Sequence, residues 1–367
     1  MRILTIFTGG TIGCASPDEK SVLSVESSVG HDYFLINNYF NPYNAKIDTI
    51  QPLNLLSENM TISDWNVLLL CLKDVDFSKY DGVIITHGTD TMAFTASIFG
   101  MILAGVKIPV IFIGSNFNLQ DERADGHQNF ADAVSFIKNA KLGGTFVIAK
   151  SQVYLSTRIT QSRHFTDSYG TPTDEIFGIM KNDKFEIAND HLENSNANFN
   201  PNVNDFEKIY SQTPLLDALE QISDCVFLIR PYVGLNYENF TISDKTKAIL
   251  HETYHSCTAC AEPSEPSNSV IEFYNKYKND INLYIAPFYG TSNDNANNTK
   301  DIKNKFAIYS STDRMLKAGI KTIDNMSLES AYAKLLLAYS LYYDKQTDKI
   351  DSVDKFLTKV LFFESIA

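Results

Sequence analysis

The stretch Asp81-Gly-Val-Ile-Ile-Thr-His-Gly-Thr-Asp-Thr-Met92 constrains this chain more than any other. Val83, Ile84 and Ile85 are an apolar run of strand type, and Thr86 to Asp90 then break into small and polar residues. The run that follows, Met92 to Ala104, reads as a buried helix. Strand, polar loop and helix in that order are the grammar of an open α/β sheet, whose ligands sit at the carboxyl ends of the strands. Thr89 and Asp90 stand at such an end. The amino-terminal stretch Thr5-Ile-Phe-Thr-Gly-Gly-Thr-Ile-Gly13 repeats the grammar, with Thr11 just past the glycine turn. Glycine there lets backbone approach where a side chain would block it. Two such crests in the first 90 residues predict one site built from both.

A chain of 367 residues exceeds what one core usually fills and predicts two domains. The joint is expected where apolar residues thin out, with Asn-Ser-Asn-Ala-Asn-Phe-Asn-Pro at 194–201. The expected division is 1–190, a linker over 191–220, and 221–367. In the first part, strands are expected at Ile3–Phe7, Ile108–Ile113 and Thr145–Ala149. Helices are expected from Thr61 or Ser63 as cap to Leu72 and over Asn129–Asn139. Val153–Thr160 reads as extended and able to run on into a hairpin arm with Gln161–Arg163. The second part offers strands near Cys225–Ile229, Leu250–Thr253 and Ile281–Ala286, a helix after Ser327, and an amphipathic helix over Val353–Phe363.

The formal net charge of −13 argues against nucleic acid and against an anionic membrane surface as partners. No apolar window is long enough for a membrane span, and the chain enters its first strand directly without a signal-peptide pattern. Five cysteines, an odd number, at 14, 71, 225, 257 and 260 do not form a secreted disulfide framework. A reducing cytoplasm is the expected address.

His251-Glu-Thr-Tyr-His255 spells the HExxH of zinc hydrolases, with Cys257 and Cys260 close behind. That chemistry needs both histidines one turn apart on a helix. The residues around them are strand formers. On a strand the two lie about 13 Å apart, too far for one zinc ion with bonds of about 2 Å. Catalytic zinc is therefore not expected. A structural site from His255, Cys257 and Cys260 is the alternative to a plain pair of thiols; the latter is the default, with no metal and no cofactor assigned.

The two crests, read as Thr8–Gly13 and His87–Met92, resemble the signatures TGGTIG and HGTDTM of the bacterial L-asparaginase family, in its type I-like cytoplasmic branch. The resemblance continues in Gly114-Ser-Asn116, Arg123-Ala-Asp-Gly126, Arg230-Pro-Tyr-Val-Gly234 and Asp324-Asn-Met-Ser-Leu-Glu329. It implies a two-domain asparaginase-like α/β fold, with a larger amino-terminal domain of mostly parallel sheet and a smaller carboxy-terminal α/β domain. It implies amide hydrolysis with Thr11 as nucleophile and Thr89 working with Asp90 in a polar relay. Asp90 would also grip the substrate's α-amino group, Ser57 its α-carboxylate, and Glu58 would lie near the amino end. Main-chain donors around Gly10–Thr11 and Thr89 would face the oxyanion. A small amino-acid-like amide as substrate and a homodimer or homotetramer follow from the same resemblance. Taken singly, a threonine after a glycine turn or an aspartate before a helix is more simply a cap or a packing residue. Their joint occurrence points to a ligand cleft.

Three departures stand against full identity of function. The family's R-G-x-R-x-x-K reads Leu155-Ser-Thr-Arg-Ile-Thr-Gln161 here, so Gln161 stands at the lysine. Glutamine can donate a hydrogen bond, but it is neither a cation nor a base. Arg163, on the same strand face, would restore charge but not basicity. The flap stretch Ser21–Glu26 has no tyrosine, the nearest being Tyr33, and Glu252-Thr-Tyr-His-Ser-Cys-Thr258 lacks the family's two glycines and asparagine. The alternative to an active amidohydrolase is a degenerate relative that binds or senses an amino acid. An ammonia-delivering amidotransferase subunit is a further rival; its family form carries an amino-terminal region ahead of the first strand.

Overall fold

In a computed structural model the chain is described over residues 1–13, 32–161, 168–188, 203–262, 266–289, 308–343 and 350–366. The described residues divide into two compact units. The first takes those of 1–188 and 203–222 together with Leu361–Phe363; the second takes those from Ser223 to Val360 and from Glu364 onward.

The first unit holds β1 (Arg2–Phe7), β2 (Lys46–Ile50), β3 (Gly82–Thr86), β4 (Pro109–Ile113), β5 (Gly144–Ala149), β6 (Gln152–Leu155), β7 (Gly178–Lys181) and β8 (Lys184–Ile187) in one sheet. The order is β2-β1-β3-β4-β5-β6-β7-β8. The first five of these strands run parallel, and β5 to β8 pair antiparallel. Every residue of β3 and β4 is buried, as expected of parallel strands covered on both faces. Helices α1 (Asp32–Asn37), α2 (Ile62–Lys73), α3 (Met92–Ile102), α4 (Gly126–Asn139) and α5 (Val203–Tyr210) complete the unit. Thr61 is the cap of α2: its amide donates to the Asp64 carboxylate at 2.8 Å while its hydroxyl accepts from the Asp64 amide, a reciprocal capping box. Trp65 Nε1 donates to Thr95 Oγ1 at 2.9 Å and ties α2 to α3.

The order β2-β1-β3 matters for function. The chain winds outward from β1 in both directions, so the crevice between the carboxyl ends of β1 and β3 is the topological switch point, where open α/β sheets bind ligands. Both sequence crests leave from those two ends.

The second unit is a parallel sheet ordered β12 (Lys321–Asp324), β11 (Asn282–Phe288), β10 (Ala248–Glu252), β9 (Val226–Ile229). It carries α6 (Val270–Tyr277), α7 (Ser310–Lys317), α8 (Leu328–Tyr342) and α9 (Ile350–Thr358). Ser327 caps α8 by accepting the Ser330 amide at 3.1 Å. Lys334 and Glu364 form an ion pair at 2.7 Å with side chains 1% and 0% exposed. Its desolvation cost is offset only because the pair is matched, and loss of either partner would strand a buried charge.

Two stretches differ from the sequence reading. Within the expected linker, 203–210 is a helix whose Phe206 is fully buried against Phe146, Phe177, Phe362 and Phe363. The asparagine-rich residues before it mask a short amphipathic turn set by Phe206, Ile209 and Tyr210. The terminal helix stops at Thr358, not Phe363. Leu361–Phe363 instead joins the first unit, with Phe363 at φ 57 and all three side chains buried. A helix would have spread those three neighbours around its axis; off the helix, Phe362 and Phe363 enter one aromatic cluster.

Truncating Phe206 should therefore damage the first unit as a core residue does. Phe206→Ala is expected to cost about 3–5 kcal/mol, read as a lowered urea midpoint for that unit. The exposed Val67→Ala should stay within about 0.5 kcal/mol. Equal midpoints for the two variants would show that 203–210 is not part of the core.

Candidate functional site

Backbone geometry brings the two crests together. After β1 the chain turns through Gly9 at φ +99 and Gly10 at φ +79, left-handed values that glycine tolerates. A Cβ on Gly9 would lie 2.4 Å from the Leu55 carbonyl oxygen, and one on Gly10 would lie 2.4 Å from the Gly88 nitrogen. The first crest thus lies flush on the second, main chain against main chain. A Cβ on Gly88 would in turn lie 2.4 Å from Ser57 Oγ. Three loops, around residues 10, 57 and 88, are packed with no room for a methyl group between them.

Hydrogen bonds fix the same three loops. Gly10 N donates to Leu55 O at 2.8 Å and Leu55 N to Thr8 O at 3.2 Å. Thr8 Oγ1 donates to Thr86 O at 2.7 Å. Asp90 N donates to Ser57 Oγ at 3.2 Å, and Thr91 Oγ1 to Ser57 O at 2.8 Å. Ser57, in a short helical turn over Ser57–Asn59, is 3% exposed. Its oxygen accepts from Asp90, so its own proton remains to be given to an acceptor. Thr11, opening the turn Thr11–Gly13, and Thr89 are half-buried, whereas Asp90 and Glu58 are exposed. The structure thus gathers Thr11, Ser57, Glu58, Thr89 and Asp90 at the switch point. The Gly10 amide, one of the main-chain donors of this turn, is engaged by Leu55 O.

His87 anchors the second crest from beneath. It is fully buried, its amide donates to Ile113 O at 2.9 Å, and its ring Nδ1 lies 2.8 Å from Gly88 O. A carbonyl can only accept, so Nδ1 carries the proton. Burial pushes the imidazole pKa down to about 4, against a smaller opposing pull from the Gly88 carbonyl. The ring is a neutral structural post under the crest.

The neighbouring loop is equally settled. Asn116 donates from its amide and its side chain to Asp125 at 2.8 and 3.0 Å, and Asn129 Nδ2 donates to Gly114 O at 3.0 Å. The paired motifs Gly114–Asn116 and Arg123–Gly126 thus form one polar network. A Cβ on Gly114 would lie 2.8 Å from Met92 Cε and 3.2 Å from Thr89 Cγ2. Bulk at Gly114 would displace Thr89.

Gln161, half-buried, follows Thr160, whose amide donates to Gly170 O at 2.8 Å in an isolated antiparallel bridge. Arg158 is 9% exposed, and its Nε donates to Phe363 O at 2.6 Å; Thr157 Oγ1 donates to Phe362 O. The surviving family arginine thus holds the carboxy-terminal tail. Arg163 and the flap stretch Ser21–Glu26 lie outside the described residues, as does the side chain of Tyr33. Sequence reasoning missed Tyr169. Its hydroxyl donates to Met92 Sδ at 3.6 Å, beside the second crest, and only the pairing across Thr160 and Gly170 could have announced it.

In the second unit the HExxH stretch is strand β10 through Glu252. His251 is fully buried, with Nδ1 2.6 Å from Glu252 O and Nε2 2.7 Å from Tyr237 Oη. Both ring nitrogens are thus engaged, Nδ1 donating and Nε2 accepting. Burial lowers this pKa to about 4 as well. Cys257 is buried at φ 58 and Cys260 is exposed, both as free thiols.

The family described as "Asparaginase, N-terminal" matches residues 2–193. The L-asparaginase of Thermococcus kodakarensis is 31% identical over 163 residues, 44% of this chain and 48% of that protein. The chain spans about half the length of the curated relatives it matches first. Among solved structures, that of the Thermococcus kodakarensis L-asparaginase superposes with a TM-score of 0.75 at 22% identity, covering 100% of this chain and 99% of the other. The "probable cytoplasmic L-asparaginase" of Campylobacter jejuni gives a TM-score of 0.68 at 19% identity, covering 98% and 99%. These structural likenesses establish the fold.

Two buried neutral histidines set a pH dependence. The unfolded chain takes up each proton near the ordinary pKa of about 6.5, and the folded chain only near 4. Falling pH therefore favours the unfolded state: stability drops below about pH 6.5 and the loss levels off below about 4. Each histidine should account for on the order of 2 kcal/mol between pH 7 and 5. Urea midpoints of His87→Gln should fall less over that interval than those of the unaltered chain. The same fall in both would show that His87 is not held neutral.

Proposed function

We propose, because this chain belongs to the asparaginase family, that it is an amidohydrolase converting a small amino-acid amide, L-asparagine or a relative, to the acid and ammonia. The observation that supports this reading is the backbone seam between Gly10 and Gly88, the glycines that lead directly into Thr11 and Thr89 at the switch point. Thr11 Oγ attacks the amide carbonyl carbon, and the tetrahedral oxyanion is met by the Thr11 and Thr89 amides. The C–N bond breaks, ammonia leaves with the threonine's proton, and water then hydrolyses the Thr11 ester. Asp90 and Glu58, exposed carboxylates at the mouth, pair with the substrate ammonium, and the buried Ser57 hydroxyl donates to its α-carboxylate. Thr89 and Gln161 orient the attacking groups.

Gln161 is the weak step. A side chain that cannot change protonation state leaves the proton transfer to water and hydroxyls, and a lost general base costs about 10²–10⁴ in rate. The same residue favours the second reading, a protein that keeps the amino-acid pocket and uses it for binding. The described residues contain no helix long and apolar enough to cross a membrane. With the Campylobacter jejuni likeness, this supports a cytoplasmic setting. Exposed Tyr232 and Val233, 58% and 98% accessible, support self-association as a dimer or tetramer. The chemistry calls for no cofactor.

Ammonia release from L-asparagine, L-glutamine, D-asparagine and short β-aspartyl amides tests the proposal. Thr11→Ala is expected to abolish turnover, and Gln161→Lys to raise kcat by on the order of 100-fold. Binding of an amino acid with no release from either the unaltered chain or Gln161→Lys would replace the enzyme by the binding protein.

A further inference from the structure

Tyr169 occupies a position that neither the crest motifs nor the family match explains. The bridge between Thr160 and Gly170 is antiparallel, a register in which their neighbours Gln161 and Tyr169 come opposite one another. Directly opposed residues of an antiparallel pair send their side chains to the same face. The phenol ring stands edge-on to Tyr154, with centroids 6.2 Å apart, and its hydroxyl reaches Met92 Sδ at 3.6 Å. Met92 follows Asp90 by two residues, and its methyl crowds the same point over Gly114 as the Thr89 methyl. Tyr169 therefore links the segment next to Gln161 with the crest carrying Thr89 and Asp90.

Two properties of this phenol bear on chemistry. Burial raises its pKa far above the ordinary tyrosine value, and the nearby Asp125 and Asp90 carboxylates raise it further. It therefore stays protonated over any working pH and acts as a neutral donor. Its present acceptor is a thioether, among the weakest a hydroxyl can use. A strong donor beside a carboxylate, held by a weak acceptor, gains by exchanging one for the other.

We propose that Tyr169 is a positioning residue of this site: its hydroxyl turns from the Met92 sulfur to the Asp90 carboxylate when a substrate ammonium docks there. The hydrogen bond fixes Asp90 and, through the shared pairing, Gln161 in the arrangement that reaction requires. It supplies by a neutral O–H part of the positioning that Gln161, having no charge, cannot. This inference rests on the amidohydrolase reading for its kinetic form, but its geometry applies equally to a pocket that only binds.

Tyr169→Phe removes the hydroxyl and keeps the ring, so packing against Tyr154 and Met92 survives. With the best amide of the panel, kcat is expected to fall about 10-fold, as for a hydrogen bond to a charged group. KM should also rise, by up to about fivefold, because the bond first forms when the ammonium docks. The thermal midpoint should not move. Unchanged kcat, or a loss that tracks a lowered midpoint, would overturn the proposal while leaving the amidohydrolase reading intact. If the unaltered protein releases no ammonia from any amide, that reading fails separately, and calorimetric titration with L-aspartate takes over. Binding weakened about fivefold or more by Tyr169→Phe would then uphold the role of the hydroxyl. Equal affinity, or no binding by the unaltered protein, would overturn it.

Discussion

The seam between Gly10 and Gly88 is the constraint on which the rest of this site depends. Two strand ends of a parallel sheet diverge unless something draws their loops together. Here the loops touch backbone to backbone: a methyl on Gly10 would force them apart, and one on Gly88 would strike Ser57. The seam is possible because Gly10 adopts a left-handed φ, and because Gly10 N and Leu55 N lock the first loop to the segment leading to Ser57. Ser57 in turn receives the Asp90 amide. Thr11 follows Gly10 by one residue, Thr89 and Asp90 follow Gly88 by one and two, and Ser57 is tied to Asp90 by that hydrogen bond. The sheet order makes the rest inevitable: with β1 flanked by β2 and β3, the connections leave on opposite sides and the crevice stays open.

Beneath this polar rim the strands are buried. β3 and β4 are wholly buried, and the first residue after β3 is a histidine with no exposure. An imidazolium there would have to be matched by a buried anion, and the structure gives it only the Gly88 carbonyl. Neutrality is the less costly solution, and its consequence is mechanical. A neutral ring with its Nδ1 proton on Gly88 O fixes the peptide that leads from Gly88 into Thr89. The same device recurs in the second unit, where His251 gives its Nδ1 proton to the carbonyl of the next residue at the end of β10. Both histidines look chemically promising in the sequence, one in a crest and one in an HExxH string. Both serve instead to set the backbone.

Legibility in the sequence followed the range of the interaction. The buried parallel strands and the two crests were readable because each is a local apolar run followed by glycine and small polar residues. Thr61, one of two residues offered as the cap of α2, was readable for the same reason. What escaped depends on distant partners. Phe206 looks isolated in a polar stretch until Phe146, Phe177 and Phe362 surround it. Phe362 and Phe363 look like the end of a last helix, yet their carbonyls are the acceptors for Thr157 and Arg158, some 205 residues earlier. Tyr169 could be placed only by knowing that Gly170 pairs with Thr160. Within the site, residue types were legible and their shared location was not, because the seam is a contact between glycines, which carry no side-chain signal.

Arg158 and Gln161 then take on a different meaning. The family pattern places an arginine three residues ahead of the lysine, and its survival here suggests a cation kept near the site. The structure directs that guanidinium to the carbonyl of Phe363, at 2.6 Å, with the residue nearly buried. Arginine at this position is a bracket for the tail, and it cannot lend its charge to the crest without releasing the segment that packs behind it. Substituting Gln161 for lysine therefore removed a charge for which Arg158 is no replacement. What the crest retains around Thr89 are neutral donors and the exposed carboxylates of Asp90 and Glu58. Such a set still suits a zwitterionic amino-acid head, since the ammonium finds anions and the carboxylate finds a hydroxyl. It is poorly suited to moving a proton quickly. On the proposed reading, recognition and turnover are separable: the first would rest on the glycine seam and the loops it joins, the second on how far hydroxyls near Thr89 can act in place of an amine.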